Sequence, residues 1–322
     1  MRAKFIRNLL VLSIIVATAS TVSAQDASRI YVEPTGFSIG TNFGMTDLWG
    51  DVGTKSPISR YIAGNGFEKV CFMGGLFGRY VIHPCLDLRL QLNWGALYAN
   101  DNWNKDLVSG SSSFAIGNDA YQRNLRNQDI KDYMFEGLFM FEFMPFRMNP
   151  ESHSAHRKRQ LFIGAGIGGF YFTPYSTIGT STHWEAIYDL HLEGQGWGTG
   201  YPKQYSLWQP CVPLVIGWRW DLSKHTNIGI EYMYRFTFFD YLDGVSNQYI
   251  DSSQFRKHLS PKNALLAYEI SDKTGNLSNG KPSGYTNQVG NLRGTPTNND
   301  AYSTITVTFY YKINGRKREW WK

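Results

Sequence analysis

Residues Leu86–Tyr98 read LDLRLQLNWGALY, and apolar and polar side chains alternate along them with one interruption, at Leu97. A β-strand repeats every two residues, so the apolar side chains share one face and the polar side chains share the other. Thirteen residues are many for a strand of a soluble protein, and seven other segments of the chain have a similar pattern. The pattern therefore predicts a membrane-spanning β-barrel.

Eight strands with this alternation are predicted along the chain. They are Gly36–Phe43, Val70–Ile82, Leu86–Tyr98, Tyr133–Phe143, Leu161–Phe172, Val212–Trp220, Asn227–Phe239 and Ala301–Ile313. In the fourth strand five aromatic rings share one face, and no amphipathic helix long enough to cover them is predicted elsewhere, so lipid is the simplest cover. Long connections follow the odd-numbered strands and short ones follow the even-numbered strands. This pattern is typical of an all-β, eight-stranded antiparallel outer-membrane barrel with long extracellular loops, short periplasmic turns and periplasmic termini.

The start of the chain carries an export signal. Three basic residues precede an apolar run at Leu9–Ala17, and Val22–Ala24 offers small residues to a signal peptidase. The run is too short to remain as a transmembrane helix. We expect a signal peptide at 1–24, a barrel at 25–313 with a long polar extracellular insert at about 240–300, and a basic periplasmic tail at 314–322.

Composition and charge narrow the class of function. Aromatic residues make up 16% of the chain, glycine occurs 32 times and charged residues make up only 18%, which favours short strands, turns and aromatic girdles. The formal charge of +6 falls to +3 without the signal segment, which argues against a nucleic-acid partner. Cys71, Cys85 and Cys211 lack metal-ligand spacing, and although one pair could form a disulfide, packing in the barrel wall is favoured.

The predicted lumen is charged. A barrel of eight strands is only wide enough for its own inward side chains, so an open pore is not expected. Four cations and four anions fall on the inward positions: Arg79, Arg89, Arg219 and Arg235 with Asp87, Glu136, Glu142 and Glu231. Because charges removed from water must be paired, a lumen salt-bridge network is favoured over the alternative, a proton or ion relay.

The predicted periplasmic end is basic. Candidate docking residues in the turn and the tail are Arg147, Arg157, Lys158, Arg159, Arg316, Lys317, Arg318, Trp320 and Trp321. The basic side chains either neutralise phosphates of the inner leaflet or form an electrostatic dock for a periplasmic partner. The two tryptophans fit either alternative, as an interfacial anchor or as a contact hot spot.

Evidence for catalysis or metal binding is weak. The third outer loop contains Ser176, Ser181, His183, Glu185, Asp189 and His191, but no nucleophile motif accompanies them. His153 and His156 lack a third ligand. Asp240 and Asp243 could bind a cation, although a turn is favoured. We expect no enzymatic activity, no cofactor and no small-molecule substrate.

Three stretches resemble one family. They are GAGIGGFYFTP at Gly164–Pro174, LEGQG at Leu192–Gly196 and NIGIEYMYRFTFFDYLDGVS at Asn227–Ser246. They are similar to the PorG-like outer-membrane barrels of the Bacteroidota type IX secretion machinery. The resemblance implies a non-enzymatic barrel that associates with a periplasmic ring of the PorK lipoprotein and PorN. The alternative is a stand-alone barrel that acts as a structural stabiliser or surface receptor.

Overall fold

A computed structural model describes residues 36–53, 70–104, 119–148, 159–178, 181–223, 225–274 and 289–313. The strands are β1 Gly36–Trp49, β2 Phe72–His83, β3 Leu86–Asn100, β4 Asp129–Phe143, β5 Arg159–Thr177, β6 Trp184–Ala186, β7 Trp208–Asp221, β8 Thr226–Thr237 and β9 Ala301–Ile313. Neighbours pair antiparallel in the order β4-β3-β2-β1-β9-β8-β7-β5, and pairing of β4 with β5 closes the circle. The predicted eight-stranded barrel is thus confirmed, while β6 is a short strand in a loop that pairs with the end of β5.

Several strands extend further than the sequence pattern predicts. β1 continues to Trp49, β4 begins at Asp129, and β5 continues to Thr177. These extensions lie at the end of the barrel where the long loops emerge, which we call the loop end. There the outer face is no longer uniformly apolar, so hydrophobic alternation fades while the hydrogen-bonded ladder continues.

A girdle of exposed apolar side chains surrounds the barrel. Every barrel strand contributes to it, and examples are Phe43 on β1, Trp94 on β3 and Ile167 on β5, which are 61%, 74% and 68% exposed. A continuous apolar belt of this kind exceeds the patches found on soluble monomers and suits contact with lipid. Among the described helices, none has the length and apolar character needed to cross a membrane.

The opposite end, which we call the turn end, carries the short connections. Residues 84–85 join β2 to β3, and residues 222–225 join β7 to β8. The first residue of β1 and the last residue of β9 also lie at this end, because these strands pair antiparallel with Phe37 opposite Ile313.

Cys71, Cys85 and Cys211 are all free thiols.

At the loop end the connections fold into an ordered cap. It contains helices α1 Asp119–Arg126, α2 Ser253–His258 and α3 Pro261–Ser271. α3 begins where the side chain of Ser260 accepts a hydrogen bond from the backbone of Asn263 and where proline occupies the first turn. Ala264, Ala267 and Ile270 bury one side of α3 in the main core.

Candidate functional site

The turn-end half of the lumen holds a network of ion pairs around Glu142. This carboxylate accepts hydrogen bonds from Arg79 Nε at 2.8 Å and Arg89 Nη1 at 3.1 Å, and also from Arg219. Arg219 Nη1 lies 2.8 Å from Asp87 Oδ2. Three strands contribute the three guanidinium groups, so the network ties the wall together from inside.

A second cluster surrounds Glu136, nearer the loop end. Arg235 Nη2 donates to Glu136 Oε1 at 2.6 Å, and the Tyr302 hydroxyl donates to Oε2 at 2.6 Å. Asn93 donates to the same carboxylate, and Arg235 also contacts Thr304 Oγ1 at 2.6 Å.

Every one of the eight charged lumen residues predicted from the sequence has its side chain inside the barrel and is at most 5% exposed.

Aromatic rings stack on the lumen cations. Arg219 lies over Phe162 at 3.9 Å from the ring centre, Arg89 lies over Phe77 at 4.3 Å, and Arg79 lies over Tyr310 at 4.5 Å. All three rings occupy inward positions of their strands, but the sequence pattern alone does not predict these contacts. Rings, ion pairs and buried apolar side chains such as Leu138 and Met233 together occupy the described part of the lumen, so the arrangement favours a rigid post over a passage.

Buried carboxylates organise the cap. Asp243 accepts backbone hydrogen bonds from Asp51, from Val52 at 2.9 Å and from Val245 at 3.0 Å. Asp300 accepts from the backbone of Leu242 at 2.8 Å and of Asp243 at 3.2 Å. Asp243 thus bonds loop backbone, as the turn interpretation predicts, and the described residues contain no His, Cys, Asp and Glu group suited to a metal ion.

Glu193, in the LEGQG stretch, is the second centre of the cap. Its carboxylate accepts from the backbone of Ser246 at 3.0 Å and of Asn247 at 2.8 Å, and from the Tyr241 hydroxyl at 3.0 Å. Arg293 Nη1 also lies 2.9 Å from Glu193 Oε1 and forms an ion pair with it. One carboxylate therefore joins the β5–β7 connection to both ends of the β8–β9 connection.

The burial of acidic groups in the cap changes their titration. Burial, reinforced by the neighbouring carboxylates of Asp243 and Asp51, raises the pKa of Asp240 to about 8. Burial and the Asp51 carboxylate raise the pKa of Asp243 to about 6. Burial, with Asp243 and Asp240 beside it, also raises the pKa of Asp300. The cap accordingly holds its protons more tightly than free aspartates would.

The candidate catalytic residues of the third outer loop are not brought together. His183 pairs with Glu185 at 3.2 Å on the surface, and His191 Nδ1 contacts Gln204 at 3.1 Å. Ser176 Oγ lies 2.8 Å from Lys273 Nζ, an arrangement that resembles a serine–lysine pair. However, the two residues are 1% and 0% exposed, and Lys273 also forms an ion pair with Asp129. Ser176 and Lys273 therefore form a buried structural contact.

The docking residues predicted at the turn end have different environments. Arg159 is exposed at the start of β5. Arg147 differs from the expectation: the short helical turn Pro145–Arg147 directs its side chain inward, where it is buried and Nη2 lies 3.8 Å from Asp221 Oδ2. It is therefore not accessible to a partner. Arg157, Lys158, Arg316, Lys317, Arg318, Trp320 and Trp321 lie outside the described residues, as do His153, His156 and the predicted signal peptide.

The likenesses found among known proteins are distant. No protein-family model matches it, and no curated protein sequence matches it. Among solved structures, Ail, the attachment invasion locus protein of Yersinia pestis, is 10% identical, with 87% of this chain and 99% of Ail covered and a TM-score of 0.35.

Two further structures give similar values. Neisserial surface protein A is 10% identical over 87% of this chain and 98% of its own, with a TM-score of 0.35. The outer membrane protein OprG from Pseudomonas aeruginosa is 11% identical, with 89% of this chain and 100% of OprG covered and a TM-score of 0.35. A likeness this distant supports no inference about function.

Proposed function

We propose that this protein is an integral outer-membrane barrel that anchors a periplasmic ring of the PorK and PorN type in type IX secretion, without enzymatic activity of its own. The observation that carries the proposal is the combination of an apolar outer girdle with a lumen filled by paired charges and rings. Such a barrel acts through its surfaces because its interior leaves no room for cargo.

The turn end is the surface proposed to face the periplasm. Its exposed Arg159 continues the basic run that begins at Arg157, and the tail beyond β9 adds further cations. A basic sequence of this kind favours an acidic partner through complementary potential and also suits anionic lipid at the outer membrane's inner leaflet. The three sequence stretches that resemble PorG-like barrels give the partner its proposed identity.

Charge reversal tests the docking role. Changing Arg157, Lys158 and Arg159 together to Glu, or removing residues 316–322, should reduce recovery of PorK and PorN in a detergent pull-down. The matched control reverses Arg256, Lys257 and Lys262, which are exposed on the helices of the cap. Heat-modifiable gel migration checks that every variant inserts and folds. Full ring recovery by a folded turn-end variant would contradict the docking role.

The second candidate is a stand-alone barrel that serves as a structural stabiliser or surface receptor. The ordered cap favours it, because an outer surface held by buried carboxylates is a defined platform for binding. Deletion of the gene separates the two functions. Loss of secretion of type IX cargo supports the anchor, whereas normal secretion with a weakened envelope supports the stand-alone barrel.

A further inference from the structure

A small recess opens at the turn end of the lumen. Its wall includes the cationic side chains of Arg79, Arg147, Arg219 and Lys312 and the acidic side chains of Asp87 and Asp221. Lys312 Nζ lies 3.0 Å from Asp221 Oδ1, in a group of ion pairs separate from the Glu142 network. The recess is therefore the place where two groups of ion pairs meet.

The charges around the recess do not balance. The two groups of ion pairs in this half of the barrel together contain five cations: Arg79, Arg89, Arg147, Arg219 and Lys312. They contain four anions: Asp87, Glu142, Asp221 and Glu231. One positive charge is thus left over among these described residues. An uncompensated charge in a poorly hydrated interior is costly, so this excess calls for a counter-ion.

Unpaired hydrogen-bond donors show where the counter-ion would bind. Arg79 is only 3% exposed, and its Nη1 atom has no hydrogen-bond partner. The Nε atoms of Arg147 and Arg219 are also buried without a partner. One acceptor, Asp87 Oδ1, is likewise unpartnered, and it would repel an anion from its own side of the recess.

The size of the recess limits the ligand. Its cavity volume is about 20 Å³, which is room for one small ion or one or two water molecules. We propose that the recess binds one small monovalent inorganic anion of the halide class, held by the guanidinium groups of Arg79 and Arg147. The ion neutralises the fifth cation and satisfies donors that the protein leaves free. Its binding stabilises the folded barrel, because the unfolded chain has no such site.

Bromide locates the ion directly. The full mature chain is refolded in detergent and crystallised with bromide in place of chloride, and anomalous scattering is measured at the bromine edge. We expect one peak in the recess, in contact with Arg79 or Arg147. A map with bromide only on the outer surface, or with none, would overturn the proposal and assign the recess to water.

Thermal unfolding tests the charge argument. At equal ionic strength, unfolding in chloride should occur several degrees above unfolding in gluconate, which is too large for the recess. Lys312→Met removes the excess cation and should abolish this difference, while Arg159→Gln, an exposed change at the same end, should preserve it. Equal unfolding temperatures in the two salts for the unchanged protein would refute the site whatever the variants do.

Discussion

Arg89 and Glu231 form a bidentate ion pair across the full diameter of the barrel, with Arg89 Nη1 2.7 Å from Glu231 Oε2 and Nη2 2.8 Å from Oε1. β3 and β8 stand opposite each other in the closed sheet, so the contact braces the wall from inside. Both side chains are almost completely buried. The barrel therefore combines charge pairing with the buried apolar side chains of its core.

Removing only one of the two charges of this pair should destabilise the barrel strongly. Glu231→Gln leaves Arg89 with only Glu142 and, as for other broken buried pairs, should cost about 3–5 kcal/mol. The double change Arg89→Met with Glu231→Leu should recover most of that loss because no charge is left unpaired. The temperature at which the folded gel band converts to the unfolded band measures the stability of both variants. A double variant less stable than Glu231→Gln would show that the pair adds net stability.

The close approach of β1 and β9 limits the residue at Gly44. A Cβ atom added there would lie 1.9 Å from the carbonyl oxygen of Ile305, well inside van der Waals contact. Gly44→Ala should therefore hinder closure between the first and last strands and lower the folded fraction after refolding. Gly169→Ala is the control, because its nearest neighbour would be 3.5 Å away. Equal folded fractions for the two variants would count against this explanation.

Lys273 attaches the end of α3 to the barrel wall. Its ammonium group pairs with Asp129 and donates to Ser176 Oγ at 2.8 Å. Lys273→Met leaves the Asp129 carboxylate without its cation, so hydrogen exchange of the α3 amides should rise by at least tenfold, which corresponds to about 1.4 kcal/mol. Lys262→Met, on the exposed side of the same helix, should leave exchange unchanged. Equal protection in both variants would contradict the role of Lys273.

The cap should loosen as the pH rises. Asp240 titrates near 3.8 when unfolded, and burial raises its pKa to about 8 in the folded cap, so the folded state binds this proton more tightly. The stabilisation is complete below pH 3.8 and is lost as the pH rises through about 8. After correction for intrinsic rates, exchange of the 241–246 amides should be faster at about pH 9 than at about pH 5.

Two substitutions check the origin of this pH dependence. Asp240→Asn removes the titrating carboxyl group and should reduce the difference between the two pH values. Asp251→Asn changes an exposed carboxyl group of the same connection, whose pKa is lowered by hydrogen bonds from Ser253, and should preserve it. If Asp240→Asn retains the full pH response, another group must control the cap.

The barrel wall could be predicted because its signal is local. The alternation at Leu86–Tyr98 depends on neighbouring residues alone, and Asp87 and Arg89 accordingly face the lumen. The pairing of Arg89 with Glu231 could not be predicted, because the residues are 142 positions apart and meet only when the sheet closes. The inward turn of Arg147 was missed because it depends on one short helical turn after β4.

The cap was unpredictable for a different reason. Its loops carry no repeating pattern, and its stability comes from single carboxylates that bind backbone groups far away in the sequence. Asp243 contacts the backbone of Val52, 191 positions earlier, and Glu193 contacts Asn247, 54 positions later. α3 turns Leu265 and Tyr268 outward, so its apolar residues do not mark a single buried side.

The carboxylate of Asp243 also couples the cap to closure of the barrel. Its partners lie just beyond β1, while its own segment precedes β9, so these bonds can form only when the first and last strands have come together. Protection from hydrogen exchange of the Val52 amide, which donates to Asp243, would therefore appear in completed barrels and be absent from assembly intermediates. An ordered cap at the loop end would then report that the barrel wall has closed.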